Sequence, residues 1–234
     1  MFNSLTTVVK NIIIINVIFF LATLAMPEMM YENFAGYYFK SPNFQPWQIV
    51  THMFMHSNTM LMHIFFNMFG LLVFGPPLER LWGPKRFLTY YMVCGVGAYL
   101  LHFGIVHYEV VKLMEGLNGE QMRAVYTLGE TNAMITESMQ RAVNLIHTPV
   151  VGASGAVFGV LLGFGMLFPN TILYLNFLFP VKAKYFVIGY GAIELFFAFQ
   201  NRVGDSVAHF AHLGGMLFGF ILLKIWQKRK DSFY

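Results

Sequence analysis

Long apolar runs dominate the chain, broken by short clusters of polar residues, glycine and proline. Six of them read as membrane spans, which need about 17–25 mostly apolar residues: residues 8–26, 57–78, 86–106, 153–168, 184–199 and 206–226. The first stops at Pro27. A cleaved signal peptide starting at Lys10, with 21–25 as a poor cleavage site, competes for that run. Its removal would leave five spans and reverse the charge bias described below. Ser57, Asn58 and Thr59 are cap candidates for the second span, and Gly75-Pro76-Pro77 is expected to distort or end it.

Two connecting segments are too long to be simple turns. Residues 27–56 hold Tyr31, Phe34, Tyr37, Tyr38, Phe39, Phe44 and Trp47, spaced by Pro42 and Pro46. Aromatic rings with polar tips favour the membrane interface, so this loop is expected to lie half-sunk in the outer leaflet. Residues 108–149 form the one sizeable polar segment, with helix-period stretches at 121–128 and 133–145. Its glutamates (Glu109, Glu115, Glu120, Glu130 and Glu137) outnumber its bases (Lys112, Arg123 and Arg141). No site chemistry is visible there, and a solvated or interfacial pair of short helices accounts for it.

Composition agrees with the pattern. Of 234 residues, 57% are hydrophobic and 11% charged, with mean hydropathy +0.57, whereas soluble domains are roughly one quarter charged. The whole chain reads as a single membrane-embedded domain over 1–234. Lysine and arginine fall unevenly between its two sides. Lys10, Arg80, Lys85, Arg86, Lys182, Lys184, Lys224, Lys228, Arg229 and Lys230 gather on one; Lys40, Lys112, Arg123, Arg141 and Arg202 lie on the other. The positive-inside rule then puts both termini in the cytoplasm. The +4 net charge thus reports topology and not a nucleic-acid footprint. Cys94, the single cysteine, lies in an apolar run with nothing to lower its pKa, so it is no candidate nucleophile.

Polar residues inside spans are costly and therefore functional candidates. Ser154 opens span four in Gly152-Ala153-Ser154-Gly155; His212, with His209 before it, lies in span six; His63 and Asn67 share a face of span two at i and i+4. All three sets fall at similar depth near the outer side. Gly155, Gly159 and Gly163 recur every fourth residue in span four, as do Ala211, Gly215 and Gly219 in span six. Small residues at that spacing let helix backbones approach closely. Ser154 could then attack while His212 takes its proton, with His63, Asn67 and the Ser154 amide donating to an oxyanion. No acid is read as placed to orient His212, since the nearest, Asp205, sits two turns back; the expectation is a Ser154–His212 dyad.

These residues resemble the rhomboid family of intramembrane serine proteases. The resemblance runs from about Trp47 to Phe220 without the polar segment. It rests on Gly152-x-Ser154-Gly155, His63-x-x-x-Asn67 and Ala211-His212-x-x-Gly215-x-x-x-Gly219, with Glu79-Arg80 matching an acidic-basic turn. It implies an all-α, six-helix bundle, with Ser154 as nucleophile, His212 as general base, and His63, Asn67 and the Ser154 amide as oxyanion hole. Gly152, Gly155, Gly215 and Gly219 would support them. The chain departs from the family at Phe158, where a tyrosine is frequent, and at Trp47-Gln48, where Trp-Arg is. The implied reaction is cleavage of a peptide bond in or near the outer end of a substrate's transmembrane helix. A small residue would precede the cleaved bond, and no metal or organic cofactor would be needed. Substrate would enter from lipid between spans two and five, past a gate of Phe66, Phe196 and Phe197, in a bacterial inner membrane with the site opening outward.

Three rival readings remain. His52/His56 and His209/His212 have metal-ligand spacings, but no cysteine or acidic ligand is read beside them. A catalytically inactive rhomboid-like client binder usually lacks the serine or the histidine. A transporter would suit Glu194, mid-span in span five and otherwise without a role.

Overall fold

In the computed structural model, residues 5–127, 136–175, 179–199 and 206–228 are described. Asp205, Arg202, the 128–135 part of the polar segment and the 229–230 part of the basic tail lie outside them. Helices make up most of the fold. The first apolar run is α1 (Thr7–Ala25) and the second α4 (Leu61–Trp82); the third is α5 (Pro84–Leu113), the fourth α8 (Ser154–Leu167), the fifth α9 (Ala183–Phe199) and the sixth α10 (Ser206–Lys228). Between them lie short helices α2 (Pro27–Phe34), α3 (Gln48–Thr51), α6 (Gly119–Tyr126) and α7 (Glu137–His147). The expected all-α class holds, with one short hairpin added. Ile172–Leu175 (β1) and Phe179–Lys182 (β2) pair antiparallel between α8 and α9.

Among the described residues, four helices, α1, α4, α5 and the 209–228 part of α10, are long and apolar enough to cross a membrane. Helix α8 has only 14 residues, about 21 Å at 1.5 Å per residue, against a hydrocarbon core of about 30 Å. A helix that short cannot reach both faces, so at least one of its ends stops inside the hydrocarbon layer; Ser154 stands at one of those ends.

The second span differs from the sequence reading at both ends. It begins at Leu61 because Ser57 Oγ accepts from the Thr59 and Met60 amides in the turn before it. It runs through Pro76 and Pro77 to Trp82. Two prolines cost ladder bonds, yet they are tolerated where neighbouring helices cover the bend, and Pro76 is buried. This continuation carries Glu79 to the start of α1, where its two carboxylate oxygens accept from the Val8 and Val9 amides, each at 2.9 Å. These are helix-start donors with no partner in their own helix. The acidic-basic turn thus caps a neighbouring helix.

At the core, α5, α8 and α10 pack along one seam. The small residues are there because nothing larger fits. A Cβ on Gly215 would overlap the Gly155 carbonyl, and one on Gly155 or Gly159 would overlap Ala98 or Cys94 of α5. Gly219 faces Tyr90 and Cys94, and the Tyr90 hydroxyl donates to the Gly159 carbonyl at 2.8 Å. The expected two-helix contact between α8 and α10 is thus a three-helix one, with α5 filling the groove.

The aromatic loop is less exposed than its composition suggests. Phe39 and Trp47 are exposed, but Tyr37 and Tyr38 are buried against α5. The Tyr99 hydroxyl donates to the Tyr37 carbonyl, and Tyr38 Oη meets His107 Nδ1 at 2.7 Å. Burial pushes the Tyr38 phenol up to about 12. Helices α6 and α7 dock on the far end of α5 through Val106, Val110, Met139, Ala142 and Ile146. An Asn118/Gln121 capping box starts α6 and the Thr136 hydroxyl caps α7.

Candidate active site

Ser154 is the first residue of α8, and the bend that delivers it is made by Gly152, whose φ of 136° disfavours any side chain. That bend is held on both sides. Val150 pairs with Gly36 through two backbone hydrogen bonds, and the Gly152 amide donates to the His52 carbonyl at 3.0 Å. His52 Nδ1 in turn contacts the Gln48 carbonyl at 2.9 Å. Gln48 is fully buried; its side chain donates to the Glu32 and Asn43 carbonyls and accepts from the Gln45 amide. Glutamine where a Trp-Arg pair is frequent therefore still anchors the loop. Burial lowers the His52 imidazole to about 4 and that of His56 to about 3. His52 is held by its contact with the Gln48 carbonyl, while His56 is buried against the His63 ring, with centroids 5.0 Å apart.

The expected pair meets. Ser154 Oγ lies 2.9 Å from His212 Nε2. Phe158, one turn after the serine, stacks flat on the His212 ring with centroids 4.1 Å apart and planes 5° off parallel. The ring thus supplies the packing, and the Phe158–Tyr190 contact at 5.2 Å backs it.

One expectation fails. His212 does have an acid: Glu194 Oε2 is 2.9 Å from its Nδ1 and 2.6 Å from Nδ1 of His209. A carboxylate only accepts, so both Nδ1 atoms carry protons and the His212 Nε2 lone pair faces the serine hydroxyl. The arrangement is Ser154–His212–Glu194, a triad in place of the dyad. Glu194 stood out in the sequence as a carboxylate mid-span, but which way α9 turns it is fixed only by packing against α10. The same contact removes the reason given against a metal at His209/His212, since an acidic ligand does stand beside them.

From α4, His63 reaches toward the serine, and Asn67 lies one turn further along the same helix. A Cβ on Gly152 would come within 2.8 Å of His63 Nε2 and 3.5 Å of Ser154 Oγ, so the imidazole edge reaches the space beside the nucleophile. The Asn67 side chain donates one N–H to the His63 carbonyl at 2.9 Å, leaving its second for another acceptor. Along the start of α8 the first amide bonded to a carbonyl is that of Val157, on Ala153. The amide of Ser154 belongs to the group of helix-start donors that lack a partner in the helix.

The three gate residues, Phe66, Phe196 and Phe197, are all exposed, and Phe197 also stacks on His209 with centroids 5.4 Å apart, which backs the histidine cluster. Helices α4 and α9 meet ring to ring at Phe74 and Phe186, 6.5 Å apart, toward the end away from Ser154.

The Rhomboid domain family matches residues 43–229. The chain belongs to the rhomboid family. Relatives include the "Putative rhomboid protease YdcA" of Bacillus subtilis, 25% identical over 203 residues that cover 87% of this chain and 78% of the relative. "RHOMBOID-like protein 12, mitochondrial" of Arabidopsis thaliana is 29% identical over 170 residues, 71% of this chain and 42% of the relative. "RHOMBOID-like protein 6, mitochondrial" of the same plant is 25% identical over 179 residues, 76% and 43%. The chain spans less than half the length of those two plant relatives. It is an integral membrane protein of the rhomboid type, an intramembrane protease or an inactive homologue of one.

Proposed function

We propose that this rhomboid-family chain is an active serine endopeptidase that cuts transmembrane substrates, using Ser154, His212 and Glu194. The observation that carries the reading is the chain of contacts from Glu194 Oε2 through His212 to Ser154 Oγ, at 2.9 Å each. Inactive relatives need not keep such a chain, and its buried carboxylate would be costly without a use.

In this reading His212 Nε2 takes the Ser154 proton as Oγ attacks the scissile carbonyl, and Glu194 stabilises the imidazolium that forms. The oxyanion is met by the Ser154 amide, His63 Nε2 and the second N–H of Asn67. His212 then gives its proton to the leaving amine, and water hydrolyses the acyl-enzyme. Transmembrane helices hide their amides in internal hydrogen bonds, so the substrate must unwind locally. A small residue before the cleaved bond suits the narrow space beside Gly152. Entry from lipid between α4 and α9, past Phe66, Phe196 and Phe197, is supported by the exposure of these three rings. Lys and Arg counts place the serine on the outer side, in a bacterial inner membrane or a mitochondrial one, where relatives of both kinds occur.

The test is fluorophosphonate labelling of the purified chain with mapping of the modified residue, alongside cleavage of a reporter transmembrane substrate. Label on Ser154, and cleavage abolished in Ser154→Ala, is the expected result. Full cleavage by Ser154→Ala, or label elsewhere, overturns the proposal.

A further inference from the structure

Glu194 serves two histidines with one oxygen. His209 is not needed to orient His212, yet its Nδ1 makes the shorter contact, 2.6 Å against 2.9 Å. Two imidazole nitrogens and a carboxylate oxygen, drawn from two helices, converge with all three atoms within 4.8 Å of one another. The rings are held from outside by Phe158 and Phe197 and cross at 86°. Both Nδ1 atoms therefore aim at one point and not along parallel lines.

We propose that Glu194, His209 and His212 form an inhibitory site for a divalent transition-metal ion such as zinc. Two imidazoles and one carboxylate are a ligand set that zinc accepts with a water as fourth ligand. Bond lengths of about 2.0–2.1 Å in a tetrahedron put ligand atoms about 3.3 Å apart. From the present separations, the carboxylate has to back off by less than about 1 Å from each ring, and the two ring nitrogens, within 4.8 Å of each other, have to close by up to about 1.5 Å. With both imidazoles neutral the cluster carries the net negative charge of Glu194, so a cation is favoured in it. His209 and His212 are partly exposed, which gives an ion access from the polar side.

Occupancy would switch the enzyme off through the tautomer of one ring. A metal on His212 Nδ1 takes the place of the proton there. A neutral imidazole then carries its proton on Nε2, the atom that faces Ser154. An Nε2–H donates to the serine hydroxyl and cannot accept from it, so the general base is lost while the site keeps its shape. Glu194 is drawn into the metal's coordination at the same time. Binding does not depend on catalysis, whereas inhibition rests on reading His212 as the base.

The experiment uses Ser154→Ala protein purified in detergent without a histidine tag, titrated with cobalt(II) and followed by its visible absorption, then with competing zinc. We expect saturation at one ion per chain, weakened roughly 100-fold or more in Glu194→Gln and in His209→Ala; His209→Gln serves if the alanine variant misfolds. In a parallel arm, zinc should inhibit cleavage by the Ser154 enzyme saturably, a chelator should restore it, and the residual activity of His209→Ala should resist zinc. No saturable absorption, or equal binding by the variants, overturns the site. Binding without inhibition overturns the switch. If the wild-type chain cleaves nothing, the absorption arm still decides the site, and the failure falls on the proposed function alone.

Discussion

Replacing Glu194 by Gln tests the triad most directly. The amide keeps the shape and can still accept from His212 Nδ1, so positioning survives while the charge is removed. The developing imidazolium and the carboxylate are in contact at 2.9 Å, with charge centres about 4 Å apart. At an effective dielectric constant near 20 that attraction is worth about 4 kcal/mol. Water reaching the half-open His212 and the sharing of Oε2 with His209 reduce it. A loss of about 2–4 kcal/mol from the transition state remains, or roughly 30- to 1,000-fold in kcat. The ground state has no imidazolium, so KM should hardly move. The assay is steady-state cleavage of a reporter transmembrane substrate, paired with the rate of Ser154 labelling by a fluorophosphonate, which should fall in step. A merely structural Glu194 would lower the folded fraction and spare the kcat of what remains. A kcat within about threefold of wild type in well-folded Glu194→Gln would refute the triad.

Other outcomes follow from the packing. Gly215→Ala puts a methyl into the Gly155 carbonyl, a backbone atom that cannot move aside; α8 and α10 must part, and cleavage should be lost along with several degrees of thermal stability in detergent. Glu79→Gln replaces a carboxylate that accepts from two amides of α1, one buried and one part-buried, and should cost about 1–3 kcal/mol in denaturant unfolding. His52 stays neutral in the fold down to about pH 4, while unfolded it titrates near 6.5. The unfolded chain thus binds the extra proton first, so stability is full above about pH 6.5 and falls as pH drops toward 4. The His52 share of the loss is up to about 3 kcal/mol; His56, lowered to about 3, adds to the same slope in unfolding midpoints, which His52→Gln should therefore roughly halve. No slope in the wild type would mean that the ring is hydrated.

How far the sequence reaches differs from residue to residue. A serine, two histidines and an asparagine inside apolar runs announce themselves because a bilayer tolerates such groups only for a reason. Depth along a helix follows from counting at a fixed rise, so Ser154 and His212 could be matched by level before their contact was known. Rotation about the helix axis is different. Span boundaries are uncertain by a few residues, and each residue turns the helix by about 100°. Which neighbour Glu194 faces was therefore out of reach, although the residue itself was conspicuous. The same holds for the contact of Phe197 with His209, which its place in the sequence does not reveal.

By itself, then, the sequence determined the membrane setting, the order of the helices, and which serine and histidine stand out as a candidate pair, because these rest on hydropathy and on chemistry carried by single residues. Only the tertiary structure decided that His212 has a carboxylate behind it, that Gln48 and Glu79 anchor a loop and a helix they are distant from in sequence, and that α5 completes the seam between α8 and α10. Each of those is a contact between elements whose relative rotation and approach are set by packing three helices around residues too small to keep them apart, and no periodicity within one element encodes it.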